Sequence, residues 1–120
     1  MIQKISRILA PLYSDPGIRM VVLYRIDGVP IFTKMNGPKH ELASILYWLE
    51  KQIQEMLCYI FNRNLNEANF KFGNTRILMY PVSRTLVLSI MTDEETSMYK
   101  LEVDIKTACI ELGRLMGYEG

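Results

Sequence analysis

The side chains able to do chemistry are few and scattered. The sole histidine, His40, stands at the predicted start of a helix. A general base needs an orienting partner within hydrogen-bond reach, and no Ser or Cys nucleophile accompanies it in a recognisable local motif. His40 therefore reads as a solvated helix-start residue. Cys58 and Cys109 fall inside helical patterns without a second Cys or His at metal-ligand spacing, and they read as reduced, buried thiols. Asp93, Glu94 and Glu95 are consecutive carboxylates, but adjacency alone does not converge side chains on a proton or a cation. They read as helix-start charges favoured by the helix dipole. Arg84, in the short Ser83-Arg84 turn, has the chemistry of an arginine finger reaching into a partner's active site; the simpler reading is an exposed turn residue. Nucleotide-cradling Gly-rich loops, a P-loop and a C-x-x-C pair are all missing from the sequence. These observations predict no catalytic residue, no metal and no cofactor, and leave binding to other proteins as the mode of action.

The totals agree with that reading. A chain of 120 residues fits one domain, expected over 1–120. Hydrophobic residues make up 49% and charged residues 22%, a mixture that predicts a folded core and excludes disorder. Net charge is +1, and no Lys/Arg run builds the stripe that nucleic acid requires. The opening Met1–Arg7 does not read as a signal peptide, and no apolar run approaches the ~20 residues needed to cross a bilayer. The expectation is a cytoplasmic protein without direct membrane insertion.

The elements that position these residues follow from hydrophobic period. Ile2, Ile5, Leu9 and Leu12 recur at helical spacing, and Ser14-Asp15-Pro16-Gly17 ends that helix. Ile18–Ile26 is apolar at both parities, as in a strand covered on both faces. Asp27-Gly28 predicts a tight hairpin turn. Pro30, unable to donate to a ladder, then marks the return strand to about Met35 as a sheet edge. Gly37-Pro38 opens a helix reaching about Asn62, with a broad stripe from Leu42 to Ile60. Ala68–Phe72 alternates like a half-exposed strand, and turns at Gly73-Asn74 and Ser83-Arg84 extend it into Thr75–Val82 and Thr85–Met91. Thr92 and Glu95 have capping-box spacing before a last helix whose face is Met98, Leu101, Ile105, Cys109, Leu112 and Met116, with Gly117 as its C′ residue. Met98 and Met116 read as core filler. The predicted order is α-β-β-α-β-β-β-α, an α/β (α+β) domain with a five-stranded antiparallel sheet and helices on both faces.

Two features have no obvious use in a monomer. One is a line on the middle helix, Trp48, Gln52, Glu55 and Tyr59, beside the stripe that faces the sheet. The other is the strand Asn69, Phe70, Lys71 and Phe72, which enters the sheet after a long helix with nothing later in the chain to pair with its free side. If an identical strand adds at that edge, the two-fold axis brings the middle helices together, and both features become one dimer interface. The alternative is that Trp48 and Tyr59 cap the margin of the monomer's own core.

Residues Gly17–Pro30, above all Gly17, Asp27, Gly28 and Pro30, together with Arg84–Met91 and the helix after them, make the sequence similar to the roadblock/light-chain-7 family, named for a dynein light chain. The resemblance runs from Ile2 to Met116. It implies a sheet that continues across a dimer through the third strand, formed with itself or with a paralogue, and partners that are small Ras-like GTPases or dynein-type motors. It carries over no catalytic motif, so the expected role is regulator or scaffold of a GTPase without an active site of its own. The small residue the family places early in the last helix is replaced around Ser97-Met98-Tyr99. A longin or profilin-like scaffold is the neighbouring alternative, though it would begin directly with the hairpin. A small-ligand sensor requires polar groups facing a pocket, whereas the inward positions here are Ile, Leu, Val and Met.

Overall fold

Because Ile18–Arg25 is apolar at both parities, it belongs where both faces are covered, and the computed structural model places it as strand β1 inside a five-stranded antiparallel sheet. The structure describes residues 2–36, 44, 55, 68–72, 74–93 and 96–116. Helix α1 (Ile2–Tyr13) precedes β1; β2 (Pro30–Met35), β3 (Ala68–Phe72), β4 (Thr75–Pro81), β5 (Leu86–Asp93) and helix α2 (Met98–Leu115) follow. The strand order is β2-β1-β5-β4-β3, so β2 and β3 are the two edges. Of the predicted middle helix only Ser44 and Glu55 are described, both helical and exposed, and the rest of its stripe lies outside the described residues.

Alternation divides the sheet into two faces. Val21, Leu23, Leu78, Tyr80, Leu86, Leu88 and Ile90 pack with Ile5, Leu9 and Leu12 of α1 and with Leu101, Ile105, Ala108 and Leu112 of α2 in one core. Met20, Val22, Tyr24, Ile77, Met79, Val87 and Met91 occupy the opposite face and are buried as completely. Both helices therefore lie on one face, with three- and four-residue spacing supplying the inward stripe of each. Among the described residues no helix is long and apolar enough to cross a membrane.

Four local expectations need correction. Ile2, expected on the inward face of α1, is 54% exposed, because the first turn projects past the core that Ile5, Leu9 and Leu12 fill. The first hairpin is wider than a two-residue turn. Arg25 N–H donates to the Val29 carbonyl at 2.9 Å and Gly28 N–H to the Arg25 carbonyl at 2.9 Å, leaving Ile26-Asp27-Gly28 as a three-residue connection. Gly28 takes the left-handed position at φ 88°, as in hairpins that close with a bulge. The third and fourth corrections concern the start of α2. Thr92 is no helix cap; it is buried in β5 and its hydroxyl donates to the Gly17 carbonyl at 3.0 Å. Asp93 is likewise a strand end and not a helix-start charge: its Oδ1 accepts from the Thr96 N–H at 2.9 Å and the Thr96 hydroxyl at 2.7 Å. The helix itself begins at Met98 after Ser97.

Gly17 is where β1, β5 and the approach to α2 meet. Its carbonyl accepts from both the Thr92 hydroxyl and the Asp93 N–H, at 3.0 Å each. A Cβ there would stand 2.0 Å from Thr96 Oγ1. Only glycine lets the backbone approach this closely.

Candidate interaction surface

Strand β3 pairs with β4 over its whole length in unbroken register, Ala68 with Met79 through Phe72 with Thr75. Asn69 and Lys71 share the face of Leu78 and Arg76, toward the α1/α2 side, and both are exposed. Phe70 and Phe72 hold the alternate positions, opposite Ile77 and Thr75; their side chains lie outside the described residues. The other side of β3 has no strand neighbour among the described residues, which is the position where another strand could add. The expected seam is reached only at Glu55, which is helical and exposed; Trp48, Gln52 and Tyr59 lie outside the described residues.

The residues weighed for chemistry are dispersed. Arg84 is exposed in the β4–β5 connection, a turn closed by Val82 N–H on the Leu86 carbonyl at 2.9 Å and by Thr85 N–H on Ser83 Oγ at 3.2 Å. His40, Cys58, Glu94, Glu95 and Gly117 lie outside the described residues. Cys109 is partly buried against the core, and burial pushes its thiol up to about 11, which holds it in the unreactive protonated form at neutral pH. No group of three or more His, Cys, Asp or Glu side chains gathers among the described residues.

An open concavity of about 430 Å³ lies at one end of the sheet, lined by Arg25, Ile26, Asp27, Ile31, Thr85, Leu86 and Met116. Its charged rim is internally matched, with Arg25 and Asp27 forming an exposed ion pair. The Arg25 hydrogen bond holds the Asp27 carboxyl below its usual range, and Asp27 in turn raises the Arg25 guanidinium. Asp27 Oδ1 also accepts from the Val29 N–H at 3.2 Å, so the pair braces the hairpin. The sequence gives no separate signal for this pair, although Asp27 lies in the Asp27-Gly28 turn and Arg25 stands two residues before it.

An antiparallel sheet with α1 and α2 on one face and the third strand at its edge defines a fold of roadblock type. The chain belongs to the AF0774-like protein family, which matches residues 2–106. Its fold is similar to that of Myxococcus xanthus MglB, at 19% identity over 96% of this chain and 89% of that one, with a TM-score of 0.77. The Roadblock/LC7 domain from Streptomyces avermitilis aligns at 12% identity over 98% of each chain, with a TM-score of 0.65. Acanthamoeba castellanii profilin IA aligns at 9% identity over 97% and 98%, with a TM-score of 0.62. No curated protein sequence matches. At these identities the likeness is one of fold, and it extends to the profilin-like architecture that sequence reading kept beside roadblock.

Proposed function

We propose that the chain is a non-catalytic, dimerising interaction module, a single domain over 1–120, that binds a small Ras-like GTPase in the cytoplasm and regulates or scaffolds it. The observation that carries this reading is the place of β3 as the last strand of a roadblock-type sheet, with no strand neighbour on its other side among the described residues. A second copy, or a paralogue, adds its third strand there and extends the sheet, with Asn69, Phe70, Lys71 and Phe72 at the junction. Trp48, Gln52, Glu55 and Tyr59 then form the seam between the two middle helices. Self-assembly of a structurally similar protein supports the reading, one relative of this fold being described as MglB with tetrameric arrangement.

A specific complex generally buries ~1,200–2,000 Å², and a two-fold dimer offers a continuous surface wide enough for that. The switch segments of a GTPase change conformation with the γ-phosphate, and a binder touching them discriminates the two states by its differential affinity. Any acceleration of hydrolysis would act by positioning the GTPase's own residues, so Arg84→Ala would leave it nearly unchanged. The likeness to profilin IA favours, as second reading, a scaffold role without nucleotide discrimination. Titration of the chain with GTPases of the same organism, loaded with GDP or with a GTP analogue, separates the two. The expected result is a preference of about tenfold or more for one state, ~1.4 kcal/mol. Failure of the folded dimer to bind any of them would overturn the GTPase reading.

A further inference from the structure

Helix α2 carries a second surface that the β3 edge does not use. Its inward side is settled by Leu101, Ile105, Ala108 and Leu112, all buried. At ~100° per residue, Tyr99, Val103 and Ile110 fall within about 30° of the direction opposite that core. They are 85%, 56% and 58% exposed, the largest apolar exposures on this helix. Single exposed apolar residues are ordinary, but three aligned on one outward stripe over a helix of 18 residues are a surface.

The charges beside the stripe say what covers it. On one flank stand Glu102 and Lys106, on the other Lys100 and Glu111, all exposed, and they form no ion pair among the described residues. When two such helices meet antiparallel across a two-fold axis, each flank faces the same flank of the other copy. Setting Tyr99 of one helix opposite Ile110 of its mate brings Glu102 within about one residue's rise, ~1.5 Å, of level with Lys106 of the mate. The same alignment sets Lys100 within about two residues' rise, ~3 Å, of Glu111. Both displacements are well inside the reach of these side chains, and symmetry repeats each pair. Lys106 also lays its aliphatic stem over Val103 of the mate while its ammonium reaches Glu102. A parallel pairing sets opposite flanks together; it keeps Glu102 within about two residues' rise, ~3 Å, of Lys100 of the mate but leaves Lys106 about five residues' rise, ~7.5 Å, from Glu111, so it makes one match of this kind where the antiparallel pairing makes two.

From this self-complementary pattern we infer that the outward face of α2 is a homotypic association surface, which takes α2 of a second copy in antiparallel orientation. One helix pair buries less than the ~1,200 Å² of a stable interface, so the contact is weak and forms at tens of micromolar or above. It is independent of the β3 edge, and where both operate they link edge dimers into tetramers.

Sedimentation velocity of the full chain from about 1 to 200 µM, a range bracketing weak micromolar association, tests it. The dilute species reports on the β3 edge; the rise in mass on concentration reports on α2. We expect the mass to double from whichever species stands at the dilute end. Ile110→Arg should abolish that doubling, Lys106→Glu should weaken it about tenfold, and Glu102→Lys combined with Lys106→Glu should restore it. Circular dichroism confirms that each variant is folded. A wild-type mass that stays constant over the range, an unchanged concentration dependence for folded Ile110→Arg, or a charge swap as weak as the single variant would each overturn the inference.

Discussion

The two edges of the sheet are built differently. Edge β2 is closed to strand addition by its own chemistry. Pro30 lacks a donor, the register with β1 slips between Leu23 and Tyr24, and Lys34 sets its ammonium 5.6 Å from the Tyr13 ring centre. Tyr13 also stacks on Phe32 with ring centres 6.5 Å apart, and the Asn36 side chain donates to the Tyr13 carbonyl at 2.7 Å, tying α1 to this margin. Edge β3 carries one exposed lysine, Lys71, but neither of the first two devices among its described residues. It has no proline and its register with β4 is continuous. Proteins blunt the edges they need to keep alone, so the contrast supports the proposal that β3 is the edge a second copy covers.

That contrast depends on an intact centre. Leu88 is fully buried in β5, level with Leu23 on one side and Tyr80 on the other. Leu88→Ala should cost about 2–5 kcal/mol in chemical denaturation, and it should weaken edge association only through unfolding. Loss of dimer in a still-folded Leu88→Ala chain would mean that the centre and the β3 edge are not separable.

Raising the pH perturbs the core under α2. The Cys109 thiol is raised to about 11 in the folded chain from 9.0, so the folded state holds its proton where the unfolded state has released it. This contribution is fully present below pH 9 and is lost as pH rises to about 11, with a limit of ~2–3 kcal/mol. Cys109→Ala should remove that part of the pH slope above 9. An unchanged slope would place the thiol in a more solvated setting than its packing indicates.

A smaller break falls beside the β2 half of the sheet. Gly17→Ala drives a Cβ into Thr96 Oγ1 and displaces the Thr96 hydroxyl from Asp93, which should cost about 1–3 kcal/mol. Thr96→Ala should recover part of the loss in the double variant, and thermal melts of the two variants and their combination measure it. Equal stability of Gly17→Ala and the native chain would remove Gly17 as the contact between β1 and the approach to α2.

Most of this architecture was legible because it rests on period. Ile5, Leu9 and Leu12 on α1, the two-sided apolar run of β1, and Leu101, Ile105 and Leu112 on α2 follow from spacing alone. Pro30 announced an edge because a missing donor has few places to go. What failed was local punctuation that several geometries share. Asp27-Gly28 serves a two-residue or a three-residue loop equally, and only the Arg25–Val29 hydrogen bond decides. Thr92 and Glu95 have the spacing of a capping box, yet Thr92 is taken by Gly17, 75 residues away in the chain, a contact no local rule contains. Asn69 and Lys71 were read correctly as outward positions of a half-exposed strand, while three of the four seam residues lie outside the described set.

The central claim is that β3 is the covered edge and β2 the closed one. Light scattering on the native chain, Phe72→Asp and Thr33→Asp at low micromolar concentration tests it most directly, each variant being checked for folding by circular dichroism. Thr33 is exposed on β2, and a carboxylate there should leave twice the chain mass intact. The same charge at Phe72 should weaken the dimer by about 2 kcal/mol or more, ~30-fold, and return the chain mass. Equal masses for the two variants, or a native chain that is monomeric without a paralogue and stays so with one, would contradict the account.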